Sequence, residues 1–182
     1  TIPDAMNAAN DSDTIMLGAD ITLGSQIVIN KIITLDGAGH TLFAPFAGGP
    51  GNVNNSAINV NSSGVTIENL TVDGTGSTGI HGINIYNVTD INLNNVTVSN
   101  NSKAGVTVAS SAVTVNNIST LDNAWGGINV DLGSQLPLSS SSLTVNGVSN
   151  HSEVNADIWI DDITKDVSVV DTNSQYSHTD TG

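Results

Sequence analysis

The chain has no cysteine and no arginine, and only three lysines, four prolines and 3% aromatic residues among its 182 residues. Without cysteine there is neither a disulfide nor a thiolate metal site. Fifteen Asp and two Glu face Lys31, Lys103 and Lys165, for a formal net charge of −14. Nothing in that balance can build a surface for nucleic acid or an anionic membrane. Partners are expected to be neutral, cationic or bridged by cations. No apolar run is long enough to cross a bilayer, so membrane insertion is not expected. The chain opens at Thr1 without the pattern of a signal peptide, which reads as a processed or excised piece of a larger protein.

What is present is a repeat. Ala57-Ile58-Asn59-Val60 followed by Val65-Thr66-Ile67-Glu68-Asn69-Leu70-Thr71-Val72 is answered by Gly82-Ile83-Asn84-Ile85 and Ile91-Asn92-Leu93-Asn94-Asn95-Val96-Thr97-Val98. The phrase recurs from Val106 and Ile128 and, degenerate, from Ile158, in steps of 25, 23, 22 and 30 residues. That spacing belongs to a solenoid and not to hairpins of one compact domain. Within each beat aliphatic residues alternate with small polar ones, so Ile58, Val60, Val65, Ile67, Leu70 and Val72 share one side and Asn59, Thr66 and Thr71 the other. Coils stacked about 4.8 Å apart then place equivalent residues above one another. Asn69, Asn95 and Asn117 occupy one point in successive copies, replaced later by Gly147 and Asp171. Asparagine tolerates a left-handed bend, and its amide can bond the next coil, so an internal asparagine ladder is expected.

The N-terminal stretch is less regular. Ile2-Pro3 through Asn10 places Ile2, Met6 and Ala9 on one helical face with proline early, which predicts a short amphipathic helix over the open end of the stack. Residues 13–56 read as irregular first coils and a Gly/Pro loop, 57–171 as the regular coils, and 172–182 as a tail without a clear cap. A single domain over 1–182 is expected, in about six to seven coils with a cap at 1–12. A further domain or a partner subunit is expected to cover the last coil.

Three short strands per coil, an Asn-bearing bend and aliphatic stacks make the chain resemble the right-handed parallel β-helix of the pectate-lyase-like superfamily. Asp4-Ala-Met-Asn-Ala-Ala-Asn10 through Ile33-Thr-Leu-Asp-Gly-Ala-Gly39 resembles the opening of bacterial secreted and surface β-helix proteins, adhesin-like ones included. The resemblance implies an all-β fold and an extracellular or cell-surface location. It also implies that chemistry, where there is any, sits on the outer face of the first strand of each coil, the column Asn59, Asn84, Thr107, Asn129 and Trp159. Because the superfamily mixes enzymes, tailspikes and adhesins, function has to be argued from the site.

Both tryptophans fall where the repeat degenerates. Trp125, Asn129, Asp131, Trp159 and Asp161 form the candidate saccharide site, with aromatic faces for sugar rings and carboxylates for hydroxyls. Asp131 and Asp161 share a register on adjacent coils and, with Asp162, are the candidate acid and base of a glycosidase. Asn129-Val-Asp131 and Asp161-Asp162 resemble the Asn-Thr-Asp and Asp-Asp motifs of polygalacturonases, but no His-Gly follows Asp162 and the Arg-Ile-Lys element is absent. A lyase would need a lysine or arginine base beside bound Ca²⁺, and no lysine here is flanked by an acidic cluster. Ca²⁺ suits the oxygen-rich loops, with Asp131, Asp157, Asp161 and Asp162 as candidate ligands. His81 and His151, each in a turn before a first strand, read as structural or solvated. These considerations favour an extracellular, non-catalytic, adhesin-like module that binds carbohydrate or acts as a spacer, ahead of a polysaccharide hydrolase or lyase.

Overall fold

The alternation of aliphatic and polar residues produces two parallel sheets facing each other across one continuous apolar core. The computed structural model describes residues 1–51, 53–131, 140–153, 155–161, 166–171 and 178–181. The chain opens with α1 (Ile2–Ala8), followed by β1 (Thr14–Met16), β2 (Ile21–Thr22), β3 (Ile27–Ile29), β4 (Thr34–Asp36) and β5 (Thr41–Phe43). The regular part comprises β6 (Ser56–Val60), β7 (Thr66–Asp73), β8 (His81–Tyr86), β9 (Ile91–Ser99), β10 (Val106–Ala109), β11 (Ala112–Leu121), β12 (Ile128–Asp131) and β13 (Ser140–Ser152). It is followed by β14 (Ile158–Asp161), β15 (Asp166–Asp171) and β16 (His178–Thr181). A straight sheet runs β3-β6-β8-β10-β12-β14-β16, and a bent sheet runs β1-β4-β7-β9-β11-β13-β15.

The solenoid has about four turns and not the six to seven expected. The complete turns are the pairs β6–β7, β8–β9, β10–β11 and β12–β13. Before them the strands are only two or three residues long, because turns and the 44–55 loop use up the chain that a full ladder would need. The expected second and third strands of each coil are also one continuous strand of 8 to 13 residues in β7, β9, β11 and β13.

The bend inside those strands is made by the asparagines. Asn69, Asn95 and Asn117 have φ of 51°, 53° and 56°, the left-handed region where asparagine is tolerated. Their amides form a chain: Asn69 Nδ2 donates to Asp36 Oδ1 (3.1 Å), Asn95 Nδ2 to Asn69 Oδ1 (3.2 Å) and Asn117 Nδ2 to Asn95 Oδ1 (3.0 Å). The ladder is therefore present. It lies on the outside of the bend, however, with Asn95 and Asn117 exposed, because a left-handed residue at a convex corner turns its Cβ away from the core. Gly147 ends it: a Cβ there would come 2.3 Å from Asn117 Oδ1, which instead accepts from the Val148 amide at 2.9 Å. A second outward ladder, Asn94–Asn116–Asn146, runs beside the first, with amide bonds of 2.7 and 3.0 Å.

Inward, Ile58, Ile83, Val106, Ile128 and Ile158 stack as one column and Val60, Ile85, Val108 and Val130 as the next, all without solvent exposure. Each such side chain contributes roughly 1.5–3 kcal/mol by leaving water. Ahead of the straight strands Gly82, Gly105 and Gly127 also stack, each with the following coil's carbonyl 2.5–2.7 Å from where a Cβ would lie. That contact lets the corner close. At the other end of the core the column Val72–Val98 continues as Thr120 and His151, bonded Oγ1 to Nδ1 at 2.6 Å. The expected N-terminal helix caps the opposite end. Thr1 and Asp4 form its capping box, proline stands in the first turn, and Ile2 and Met6 are buried.

Candidate functional site

The outward column of the straight sheet is in the expected register, Asn59 beside Asn84, Thr107, Asn129 and Trp159 in turn. Its first three members bond one another. Asn84 Nδ2 donates to Asn59 Oδ1 at 2.9 Å, and Thr107 Oγ1 donates to Asn84 Oδ1. Asn59 and Asn84 are buried, so this half of the column serves the fold. The chain of bonds stops at Asn129, whose Oδ1 is buried and has no partner among the described residues.

The loops ahead of the straight strands stack as the strands do. Lys103 and Trp125 each stand three residues before the first inward residue of their strand, Val106 and Ile128, and the Trp125 amide donates to the Lys103 carbonyl at 3.3 Å. The same stacking carries Lys103 Nζ over the indole, 5.0 Å from its centroid. The His81 ring meets Trp125 edge to face at 5.5 Å and 84°. His81 Nδ1 accepts the Ala104 amide at 3.2 Å, which leaves the ring proton on Nε2. Burial, reinforced by the Lys103 charge, pushes the imidazole pKa down to about 3, so His81 is neutral at physiological pH. Burial also lowers the Lys103 ammonium below the usual lysine value.

These groups border a concavity of about 250 Å³ on the straight sheet, lined by Asn55, His81, Tyr86, Trp125, Asn129, Asp131 and Trp159 among others. Beyond Trp125, Asn129 and Trp159 it continues into a more open depression of about 450 Å³ that Asn155 also borders. Trp125 is 49% exposed, so part of the indole is free to meet a ligand. Tryptophan supplies a flat apolar face, and the amides and carboxylate supply directional hydrogen bonds.

The structure brings Trp125, Asn129, Asp131 and Trp159 together around this groove. Asp161 ends β14 beside the end of β12, where the pairing of Val130 with Ile160 leaves Asp131 and Asp161 next in line. Asp162 lies outside the described residues, as does most of the long insertion after Asp131. Asp157 is not part of this grouping. It precedes Ile158, the partner of Ile128, so it lies four residues along the strands from the level of Asp131, about 13 Å at the strand rise. Oxygens on one Ca²⁺ lie about 5 Å apart or less, so Asp157 cannot share an ion with Asp131. Among the described residues no three His, Asp or Glu side chains form a metal-binding group.

The sequence reading did not place His81, Lys103 or Asn55 here. His81 looked like a turn residue, yet it is only 8% exposed and part of the wall. Loop positions counted by coil align Lys103 with Trp125, and that periodicity is the signal the sequence carries for it. Asn55 carries no such periodic mark.

No curated protein and no solved structure matches the chain. Residues 56–178, covering all four complete turns, match the model of the right-handed beta helix region. With the parallel ladders, the aliphatic columns and that match in hand, the chain belongs to the right-handed β-helix family.

Proposed function

We propose that this chain is an extracellular or cell-surface, adhesin-like binding module that holds a carbohydrate on its straight sheet and performs no chemistry on it. The observation that carries this reading is that Trp125 and Trp159 flank the unpartnered Asn129 amide oxygen in one groove. Such a pairing of aromatic faces with directed polar groups is how concave sites recognise sugars. The rest of the column is hydrogen-bonded into the fold, which leaves the groove as the distinctive part of the face. The acidic, arginine-free composition agrees with a partner other than nucleic acid. A further domain or subunit would lie on the C-terminal coil, beyond β16.

Asp131 and Asp161 at adjacent strand ends support a second reading, a hydrolase using the same groove. One experiment separates the two. A glycan array screened with and without Ca²⁺ is followed by reducing-end and unsaturated-product assays on every bound glycan. Binding without turnover, lost in Trp125→Ala and Trp159→Ala, supports the module. Turnover abolished by Asp131→Asn refutes it in favour of the enzyme. Absence of both binding and turnover leaves the chain a spacer.

A further inference from the structure

The groove also indicates which kind of sugar it takes. Asn55 is only 6% exposed, lines the concavity and has a side-chain oxygen without a hydrogen-bond partner. Asn129 lines the same space, and its amide oxygen is likewise buried and without a hydrogen-bond partner among the described residues. Buried polar atoms in native proteins are almost always paired, so two orphans in one cavity point to a ligand that completes them. Both are acceptors and therefore require O–H or N–H donors. His81 contributes the opposite polarity: with Nδ1 engaged by Ala104, the ring offers Nε2–H as a donor. Donors and acceptors in one molecule with an apolar face for the indoles describe a polyhydroxylated ring.

Charge narrows the class. A uronate carboxylate would set anionic oxygen beside the side chains of Asn55, Asn129 and Asp131, in a chain of net charge −14 with no arginine and with Lys103 already seated on Trp125. An amino sugar would bring its ammonium up to the like-charged Lys103 Nζ held over the Trp125 ring, which offsets the pull of Asp131. Building on the carbohydrate reading above, we infer that the groove binds an uncharged pyranose unit whose hydroxyls donate to the Asn55 and Asn129 side-chain oxygens. The 250 Å³ concavity receives that unit, and the depression past Trp159 receives the next residue of the glycan.

The test titrates the full chain, by calorimetry and tryptophan fluorescence, with three size-matched sets: neutral gluco-, galacto- and manno-oligosaccharides, oligogalacturonates, and glucosamine oligomers. A neutral set is expected to bind at least tenfold more tightly than both charged sets. Asn129→Ala is expected to weaken it about tenfold with little change in melting temperature. Asn55→Ala is expected to do the same, and because Asn55 is buried, Asn129→Ala stands as the test should that variant not fold. Uronate or amino sugar binding as tightly as neutral sugar overturns the inference while leaving the carbohydrate reading intact. So does undiminished affinity in folded Asn129→Ala. If none of the three sets binds, the carbohydrate reading itself falls.

Discussion

The neutral, buried His81 makes the stability of this fold pH-dependent in a window where few other groups act. Its imidazole pKa falls from 6.5 to about 3 because burial, and then the Lys103 charge, oppose protonation. Between those values the unfolded chain binds a proton at this site and the folded chain does not. Stability therefore rises with pH across the window and is lost as pH falls from about 6.5 toward about 3. Each pH unit inside it is worth about 1.4 kcal/mol, so lowering the pH from 6.5 to 4 removes about 3 kcal/mol. Carboxylates that the fold holds ionised act in another range. Asp20, which accepts the Thr41 amide and faces His40, loses its contribution only as pH falls below its ordinary value of 3.8.

The perturbation is His81→Asn, whose Oδ1 can take the place of Nδ1 toward the Ala104 amide while removing the titration. Urea unfolding of both proteins at pH 4, 5, 6 and 7 gives the comparison, in which all other histidines and carboxylates cancel. The wild-type chain is expected to be the more stable at pH 7, where the ring packs against Trp125, and to lose about 3 kcal/mol relative to the variant by pH 4. An NMR titration of the ring is expected to find it neutral down to about pH 4. Parallel stability curves for the two proteins, or a ring that protonates near 6.5, would refute the argument.

Three further outcomes test the fold. Gly105→Ala places a Cβ 2.7 Å from the Gly127 carbonyl oxygen and 2.9 Å from Asn123 Nδ2, so its urea midpoint should reflect a loss of about 3 kcal/mol. At the bend, Asn95→Ala gives up both ladder bonds and puts alanine at φ 53°, costing about 1–3 kcal/mol. Asn95→Gly keeps the backbone and should melt between it and the wild type. If glycine is no better than alanine there, the amide bonds and not the backbone conformation dominate. Leu93→Ala, at a fully buried core position, should cost about 2–5 kcal/mol in the same assay, and a loss below 1 kcal/mol would show a core able to collapse onto the gap.

The strand register was legible because it follows from periodicity. Ile58, Ile83, Val106, Ile128 and Ile158 stand one coil apart in sequence and stack as one fully buried column. A side chain's face depends on parity only within its own strand, and the recurring phrase restarts that alternation in each coil although the steps of 25, 23, 22 and 30 residues differ in parity. The bends were legible for a related reason, since Asn69, Asn95 and Asn117 recur at the same phase. Their exposure was not, because it depends on which way a convex corner turns its Cβ. The number of turns was overestimated because short β-patterned runs such as those at Ile21–Thr22 and Ile27–Ile29 look in sequence like strands of a full coil.

The site divides along the same line. Sequence alone determined the outward column of the straight sheet, the resemblance it carries pointed to that face for binding, and Trp125, Asn129, Asp131 and Trp159, selected there, line one groove. Parity and register act over neighbouring residues and repeat faithfully. Only the tertiary structure decided that Asn84 is tied to Asn59 and so belongs to the fold, that Asn55 and Asn129 are left with unpaired oxygens, and that His81 and Lys103 meet at Trp125. It also separated Asp157 from Asp131 by the length of a strand. Those relations depend on where loops of different coils meet and on how much water reaches each group, and neither quantity is periodic in the chain.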